Sequence, residues 1–570
     1  MCAIAGIISK NKPVEAARIN AMVDCLRHRG PDGQGFHKTR FAHAGMSRLA
    51  IHDLKSEGLC PVVYQAPNRE ALVLVFNGEI YNFIELKKEL SLKGHVFETT
   101  CDSEVLLHAY VEWGEACLDR FNGMFSFAIF DYEKDLLFCA RDRAGEKPFY
   151  YYQDENAFIF ASEMKAILTQ IPLPELNETD EFKAFEYMTG EETLFQNVKS
   201  LLPGHKLVLR GIKGNCKGKK LSEYWNVLDH LRDIPESRAV DELDELLQDS
   251  IKIRLRSDVP IGLYLSGGID SSLIAYMAKP KVCFSCYFPY GPKYDELHYA
   301  KIVAKQIRAR HVIVKPTQKD FERHLADIMY YLDVPVGSFS IFPLYMLARE
   351  ARKHVKIVLS GEGSDELFCG YTRYLIMAHE QGLYQKPEMA HYKPLLDYYL
   401  TRPIDRFARL LNRGRVSTEV IKTIISRHFE QFNDVVHAMG YTEFKLMLVT
   451  LLQMEDRASA AFGLENRSPF LDHRIISFAY SIPSEMKVRN MIPKWIVRKV
   501  AERYLPKEIL ERKDKMGLIA PINLWLQFRG TRGEFDRQSY NSLCMKKWLE
   551  IYMKTRRYMK KSAPSKAKAG

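Results

Sequence analysis

The stretch VPIGLYLSGGIDSSLIAYMA, Val259 to Ala278, decides how the second half of the chain is read. An apolar strand pattern runs into Ser266-Gly267-Gly268-Ile269-Asp270-Ser271-Ser272, which opens an apolar helix pattern. Paired glycines let backbone approach a phosphate, and a helix start points N–H groups and a positive dipole end at it. The serine hydroxyls add donors. Asp270 would repel phosphate unless a cation intervened, so the motif implies Mg²⁺ alongside a polyphosphate. It is not a GxxxxGK[ST] loop.

Working outward, a helix is expected over Ser237 to Arg256. Strand-like runs follow at CFSCYF (283–288), HVIVK (311–315) and KIVLS (356–360), separated by helical stretches. That alternation predicts an α/β, doubly wound, mostly parallel sheet, with helical additions from about residue 373 to 470. Toward the N-terminus the grammar differs. CAIAGII (2–8), FAHAGMSRLAI (41–51), ALVLVFNGEI (71–80), GMFSFAIFD (123–131) and DLLFCARD (135–142) are short β-like runs between turn residues. Helical patterns cover Val14 to Leu26 and Asp102 to Trp113, so an α+β layered domain is expected. GIKGNCKGKK (211–220) reads as a linker or a hairpin tip.

A chain of 570 residues needs more than one core, and 46% apolar with 27% charged residues is an ordinary globular balance. No run of eighteen apolar residues occurs, and MCAIAGIISK lacks the features of a signal peptide, so a cytosolic protein is expected. Its 11 cysteines follow no framework and are expected as reduced thiols. Cys283 and Cys286 form a CxxC without a second pair, which favours a buried strand over a metal site. The net charge of +11 is mostly local: nine Lys or Arg from Lys546 onward, against Glu550, make +8. Residues 531–570 are therefore read as a basic, solvated tail, with neither nucleic acid nor membrane as expected partner. Assembly into a homodimer is left open.

Near the N-terminus several residues suit one chemistry. Removal of Met1 would give Cys2 a free α-amine, whose pKa near ~8 lets it serve as general base for its own thiol. Arg29-Gly30-Pro31-Asp32-Gly33 is a polar turn. Arg48 lies on an apolar run, where it is suited to clamp a carboxylate. Asn77 and Gly78 end a strand pattern where a side-chain amide and a backbone N–H can stabilise an oxyanion. Asp102 is placed to receive an ammonium, although Asp102 or Ser103 also fits a helix N-cap. In the second half, Ser360-Gly361-Glu362-Gly363-Ser364-Asp365-Glu366 follows the KIVLS strand, and its crowded carboxylates need cations. Asp365 is placed to share Mg²⁺ with Asp270 at the strand carboxyl ends. Lys494, in PKWIVRK with Arg498 one turn later, can offset charge on an activated intermediate.

MCAIAGI, RHRGPDG, SRLAI, FNGEIYNF, DSEVLL, GMFSFAIFD, RDRAGEKPFYY and FASEMKAIL, in this order, resemble the N-terminal-nucleophile glutaminase domain of glutamine-hydrolysing asparagine synthetases. SGGIDSS, SGEGSDELFCGY, EDRASAAFGLENRSPFLD and KWIVRK resemble the synthetase half of the same family. The resemblance implies a class II glutamine amidotransferase domain over 2–212 and an ATP-pyrophosphatase-type synthetase domain over 230–530. It implies Cys2 as nucleophile, Asn77 and Gly78 as oxyanion donors, and glutamine held by Arg48, Glu79 and Asp102, with backbone of Arg48, Leu49, Ala50, Ile51 and His52 lining the pocket. ATP, as substrate, would lie on Leu265, Ser266, Gly267, Gly268, Asp270, Ser271, Ser272, Cys286, Ser360 and Gly361. Glu362 and Lys494 would serve an acyl-adenylate step, with Asp270 and Asp365 on Mg²⁺. The implied reaction is glutamine-dependent amidation of aspartate. Cys101, Ser468 and Leu518 depart from the family pattern; the first should touch only packing. The other two lie in the acceptor half and leave open a paralogue amidating another carboxylate in envelope or secondary-metabolite synthesis. A glutaminase fused to a non-catalytic nucleotide module is disfavoured by the intact acidic and Lys494 positions.

Overall fold

A computed structural model describes residues 1–54, 60–65, 70–177, 179–291, 294–336, 338–385, 402–412, 416–512, 517–526 and 537–562. Its first half contains two six-stranded antiparallel sheets. One runs β10 (Val198–Ser200), β8 (Tyr150–Gln153), β9 (Ala157–Ala161), β1 (Ala3–Ser9), β3 (Ala42–Arg48), β2 (Gly33–Lys38). The other runs β12 (Lys217–Glu223), β11 (His205–Arg210), β7 (Leu136–Arg141), β6 (Gly123–Asp131), β5 (Leu72–Ile80), β4 (Val62–Tyr64). Alternation along β1 sends Ile4 and Ile8 into a core shared with Val73 and Val75 of β5, so the sheets stack face to face. Ala3, Ala5 and Ile7 point the other way, onto the helix Ala16–Asp24. Leu74 and Phe76 of β5 pack outward on the helix Asp102–Trp113. The result is four layers: helix, sheet, sheet, helix.

The second half is built on a parallel sheet in the order β15 (Arg310–Val314), β14 (Val282–Cys286), β13 (Ile261–Tyr264), β16 (Ile357–Leu359), β17 (Glu465–Arg467). The order reverses at β13, placing the crevice where doubly wound sheets bind ligands at the carboxyl ends of β13 and β16. The helix Val435–Ala460 is long and apolar enough to cross a membrane, but 72% of its most apolar window is buried within the protein. Its Met454 and Ala458 join one continuous core with Ala3, Ile7 and Met22 of the first half. The halves therefore share an interior.

Three expectations need correction. The glutaminase unit does not close at residue 212: Gly211–Cys216 is a hairpin tip, and β12 pairs with β11 beyond it. Asp102 does not cap its helix from outside; it is the first helical residue, and its carboxylate accepts the Ile80 N–H at 2.8 Å. Nor is the stretch from Lys546 a free basic tail. Tyr540, Cys544 and Trp548 of the helix Arg537–Ser562 recur every four residues and are buried against the helix Gln318–Leu332. Trp548 Nε1 donates to Asp333 O at 3.1 Å, and Tyr552 Oη to Pro174 O at 2.7 Å. Counting charge hid an apolar stripe at helical spacing. Residues 531–536 and 563–570 of the expected 531–570 tail lie outside the described residues.

Candidate active sites

Strand alternation assembles the first site. Cys2 continues the inward-facing series of Ile4 and Ile8, and Asn77 that of Val73 and Val75, so both enter the gap between the sheets. A narrow slot there is lined by Cys2, Arg48, Leu49, Ile51, His52, Gly78, Glu79 and Asp102, with a volume of about 40 Å³. Gly78 has φ +149°, and a Cβ on it would lie 2.0 Å from Met124 O, so only glycine fits. Asn77 is fully buried, and neither its Nδ2 nor its Oδ1 has a hydrogen-bond partner. Leaving both ends of a buried amide unpaired costs about 1–3 kcal/mol each, and few native buried groups are left so. Ala50 and Asn77 are the expected residues off the wall: the Ala50 N–H is taken by Asp32 at 2.9 Å, and Asn77 is buried behind the lining residue Gly78. Arg48 donates to His52 O and Asp53 O at 2.9 and 2.8 Å.

Ionisable groups crowd the slot. Burial drives the His52 imidazole down, but the Glu79 carboxylate at 3.0 Å more than reverses this and lifts it to about 9. Burial and the neighbouring Glu79 raise Asp102 to about 7. Cys101, expected to affect only packing, touches this carboxylate through its thiol at 3.4 Å. The Cys2 thiol is raised by burial, with the positive N-terminal amine and Arg48 working against it. That amine, here on a buried Met1, is lowered by burial to about 6.

The second site forms where the loops after β13 and β16 meet. Lys494 Nζ lies 2.8 Å from Asp270 and 2.6 Å from Asp365, while Ser364 Oγ donates to Asp270 at 2.8 Å. Lys494 itself sits in the left-handed region at φ 54°, a strain on the order of 1 kcal/mol for a residue with a side chain. Gly370 makes room for the bridge: a Cβ there would lie 1.7 Å from Asp365 Oδ1. Ser266 and Ser271 hydroxyls bond each other at 3.1 Å, and the Ser266 hydroxyl also accepts from the Gly268 N–H at 3.2 Å. Ser272 Oγ is buried without a partner among the described residues. Leu265, Gly267 and Cys286 lie on or beside the ends of β13 and β14, and Gly361 packs on Asp270. Glu362 occupies the turn beside Gly361, and burial together with Asp365 and Glu362 raises Glu366 to about 8. Arg498 is committed elsewhere, to Pro493 O and Leu510 O at 3.1 and 2.9 Å. Among the described residues no group of three or more His, Cys, Asp or Glu is gathered for a metal. Two carboxylates flanking a cation position suit Mg²⁺, which usually draws its remaining ligands from substrate phosphates and water.

Sequence reasoning missed the residues that join the two sites. Arg467, at the end of β17, lies 3.3 Å from Glu79 and 2.8 Å from Glu465, fully buried. Arg29, expected in a polar turn, is also fully buried; it grips Asp456 at 2.8 and 3.1 Å and Glu163 at 2.9 Å, and donates to Cys2 O at 3.1 Å. Burial pushes the Asp456 carboxyl up, but Arg29 and Lys147 bring it below its usual range. Arg457 holds Glu163 at 2.9 Å from the same helix. The only advance signal was arginine inside otherwise apolar or turn-like motifs.

A cysteine slot beside an unpaired buried amide, coupled through buried arginines to a parallel sheet bearing a Gly-Gly-Ile-Asp loop, defines a two-site glutamine amidotransferase. Comparison with known proteins agrees. A family model described as glutamine amidotransferase domain matches residues 1–225, and one described as asparagine synthase matches residues 242–560. The chain is 31% identical to asparagine synthetase [glutamine-hydrolyzing] 1 of Bacillus subtilis, over 92% of this chain and 88% of that protein. It is 36% identical to putative asparagine synthetase [glutamine-hydrolyzing] 2 of Methanocaldococcus jannaschii, over 66% of this chain and 76% of that protein. The chain belongs to the glutamine-hydrolysing asparagine synthase family, and ATP use comes with that family.

Proposed function

We propose that the protein amidates the β-carboxylate of aspartate with ammonia drawn from glutamine. The observation that carries the reading is that one interior holds both sites together, with Arg467 of the synthetase sheet ion-paired to Glu79 of the glutamine slot. Cys2, freed of Met1, attacks the glutamine amide carbon; Asn77 Nδ2 and the Gly78 N–H stabilise the oxyanion, and ammonia leaves as the thioester forms. Water then releases glutamate. Asp102 and Arg48 hold the α-ammonium and α-carboxylate, for which Arg48 must exchange its carbonyl partners.

In the crevice the Ser266–Ser272 loop, Ser360 and Gly361 bind ATP. The aspartate carboxylate attacks the α-phosphorus, pyrophosphate departs, and ammonia displaces AMP from the β-aspartyl-adenylate. Lys494 and Glu362 act at this step: once triphosphate enters, Lys494 can transfer its charge from Asp270 and Asp365 to phosphate oxygens. Mg²⁺ would be held by Asp270 and Asp365 and supplies charge neutralisation to the triphosphate when bound.

A second acceptor reading has its own observation. Ser468 is buried and bonds Ser360 Oγ at 2.8 Å, and Asn466 donates to the same hydroxyl at 3.2 Å, a polar cluster beside the nucleotide loop. An acceptor screen by pyrophosphate release, with ¹⁵N-amide glutamine, decides between them. Labelled asparagine is expected; intact glutaminase without aspartate-dependent pyrophosphate would sink the aspartate assignment.

A further inference from the structure

A cavity of about 360 Å³ lies on the seam between the two halves and shares no lining residue with either catalytic site. Arg143 and Glu223 face it from the glutaminase half, Arg427 and Lys445 from the synthetase helices. Charge on these walls is not balanced. Among the described residues, neither Arg143 nor Arg427 has a carboxylate within ion-pair distance, and Lys445 has only Glu223 at 3.4 Å. Glu192, the other carboxylate on the wall, lies 3.1 Å from Lys199 instead. Arg427 Nε donates to His428 Nε2 at 2.9 Å, which requires that nitrogen to be unprotonated. Burial, with Arg427 and Lys445 nearby, keeps His428 neutral by lowering it to about 3. Arg143 is buried and donates its terminal nitrogens to Phe121 O and, at 3.0 Å, Leu118 O, so it adds positive charge to the wall without a free donor for a ligand.

Arg427, exposed at the cavity mouth, and Lys445, deeper on the same wall, outnumber the one carboxylate beside them, and such an excess of positive charge creates a potential that a mobile anion relieves. Phe182, Tyr187 and Phe444 line the same space, giving the apolar surface and few polar groups typical of a small-molecule site. We infer that this seam cavity is a second ligand site, which takes a small organic anion through Lys445 and Arg427 and covers its flat or apolar body with the aromatic wall. The inference goes beyond the amidation chemistry, and its test does not depend on which acceptor is used.

Equilibrium dialysis of the full chain, with ATP present to fill the nucleotide crevice, can use phenyl phosphate, benzoate and inorganic phosphate as probes. One phenyl phosphate per chain is expected, bound more tightly than inorganic phosphate; benzoate shows whether a carboxylate serves as well as a phosphate. Lys445→Met should weaken phenyl phosphate about tenfold or more, the loss of one charge-assisted contact. Val449→Trp, which fills the cavity without changing charge, should abolish binding while glutaminase activity persists. Should Lys445→Met fail to fold, Arg427→Gln and Val449→Trp carry the test. No saturable binding, or binding that neither the charge variants nor the cavity-filling variant weakens, overturns the inference.

Discussion

The glutamine slot and the nucleotide crevice are prepared in opposite ways. In the slot, the Asn77 amide is buried with both ends unpaired, and Gly78 is locked at φ +149° beside it. In the crevice the charged groups satisfy one another: Lys494 bridges Asp270 and Asp365, and Ser266 bonds Ser271, with only the Ser272 hydroxyl unpartnered among the described residues of that loop. A site with orphaned donors is organised in advance for the charge that develops in a tetrahedral intermediate. A site closed on itself must exchange internal pairs for ligand contacts, so binding there is coupled to rearrangement. The contrast suits a two-step enzyme in which ammonia should be released only when an acceptor is activated. Arg29 and Arg467 are placed to carry that dependence, since each touches the slot from one side and the synthetase half from the other.

The sharpest way to break the comparison is to disable each site separately. Cys2→Ala should lower glutamine-dependent synthesis by about 10⁴-fold or more, as loss of a nucleophile does, while ammonia-driven synthesis continues. If a folded Cys2→Ala protein also failed with ammonia, the sites would not divide the labour as argued. Asp270→Asn and Asp365→Asn should behave conversely, ending pyrophosphate formation and sparing glutaminase. Unchanged pyrophosphate output would remove both residues from the nucleotide site.

Smaller effects sharpen it. Asn77→Ala should reduce glutaminase kcat by about 10²–10³, the cost of one oxyanion donor, with stability unchanged or raised because the amide has no partner to lose and its desolvation cost is relieved. A large drop in melting temperature would show the amide to be structural. Asp456→Ala should do the reverse: it takes the bidentate partner from buried Arg29, leaving Glu163 as its remaining carboxylate, and destabilises the fold by about 1–3 kcal/mol, readable by denaturant unfolding.

These pairs also show what the chain disclosed in advance. The helix Asp102–Trp113 and the strands β13 to β16 were legible because apolar spacing is a local property. Strand β17 was not, because Glu465-Asn466-Arg467 carries no apolar residue; it is buried only because Arg254 and Arg256 carbonyls and Glu79 satisfy Arg467. Arg29 read as part of a turn since its partner Asp456 is 427 positions away. Trp548 was overlooked because net charge describes a segment's sum, whereas docking depends on which face each residue occupies. The chemistry-bearing residues were visible as types; the buried arginines that connect them depend on tertiary pairing.

The smallest effect tests the slot's own electrostatics. Asp102 is raised to about 7, so in the free enzyme it is largely protonated at pH 6 and largely ionised at pH 8. Only the ionised form can pair with the α-ammonium of glutamine. Glutamine affinity should therefore increase with pH, by up to about tenfold per unit below pH 7, and level off above it. Binding below pH 7 should release a proton, visible as a buffer-dependent enthalpy when glutamine is titrated into Cys2→Ala protein. Asp102→Asn should bind glutamine weakly at every pH and release none. A wild-type affinity that is flat between pH 5.5 and 7, or proton uptake on binding, would show that Asp102 is already ionised and that Glu79, held charged by His52 and Arg467, is not what raises it.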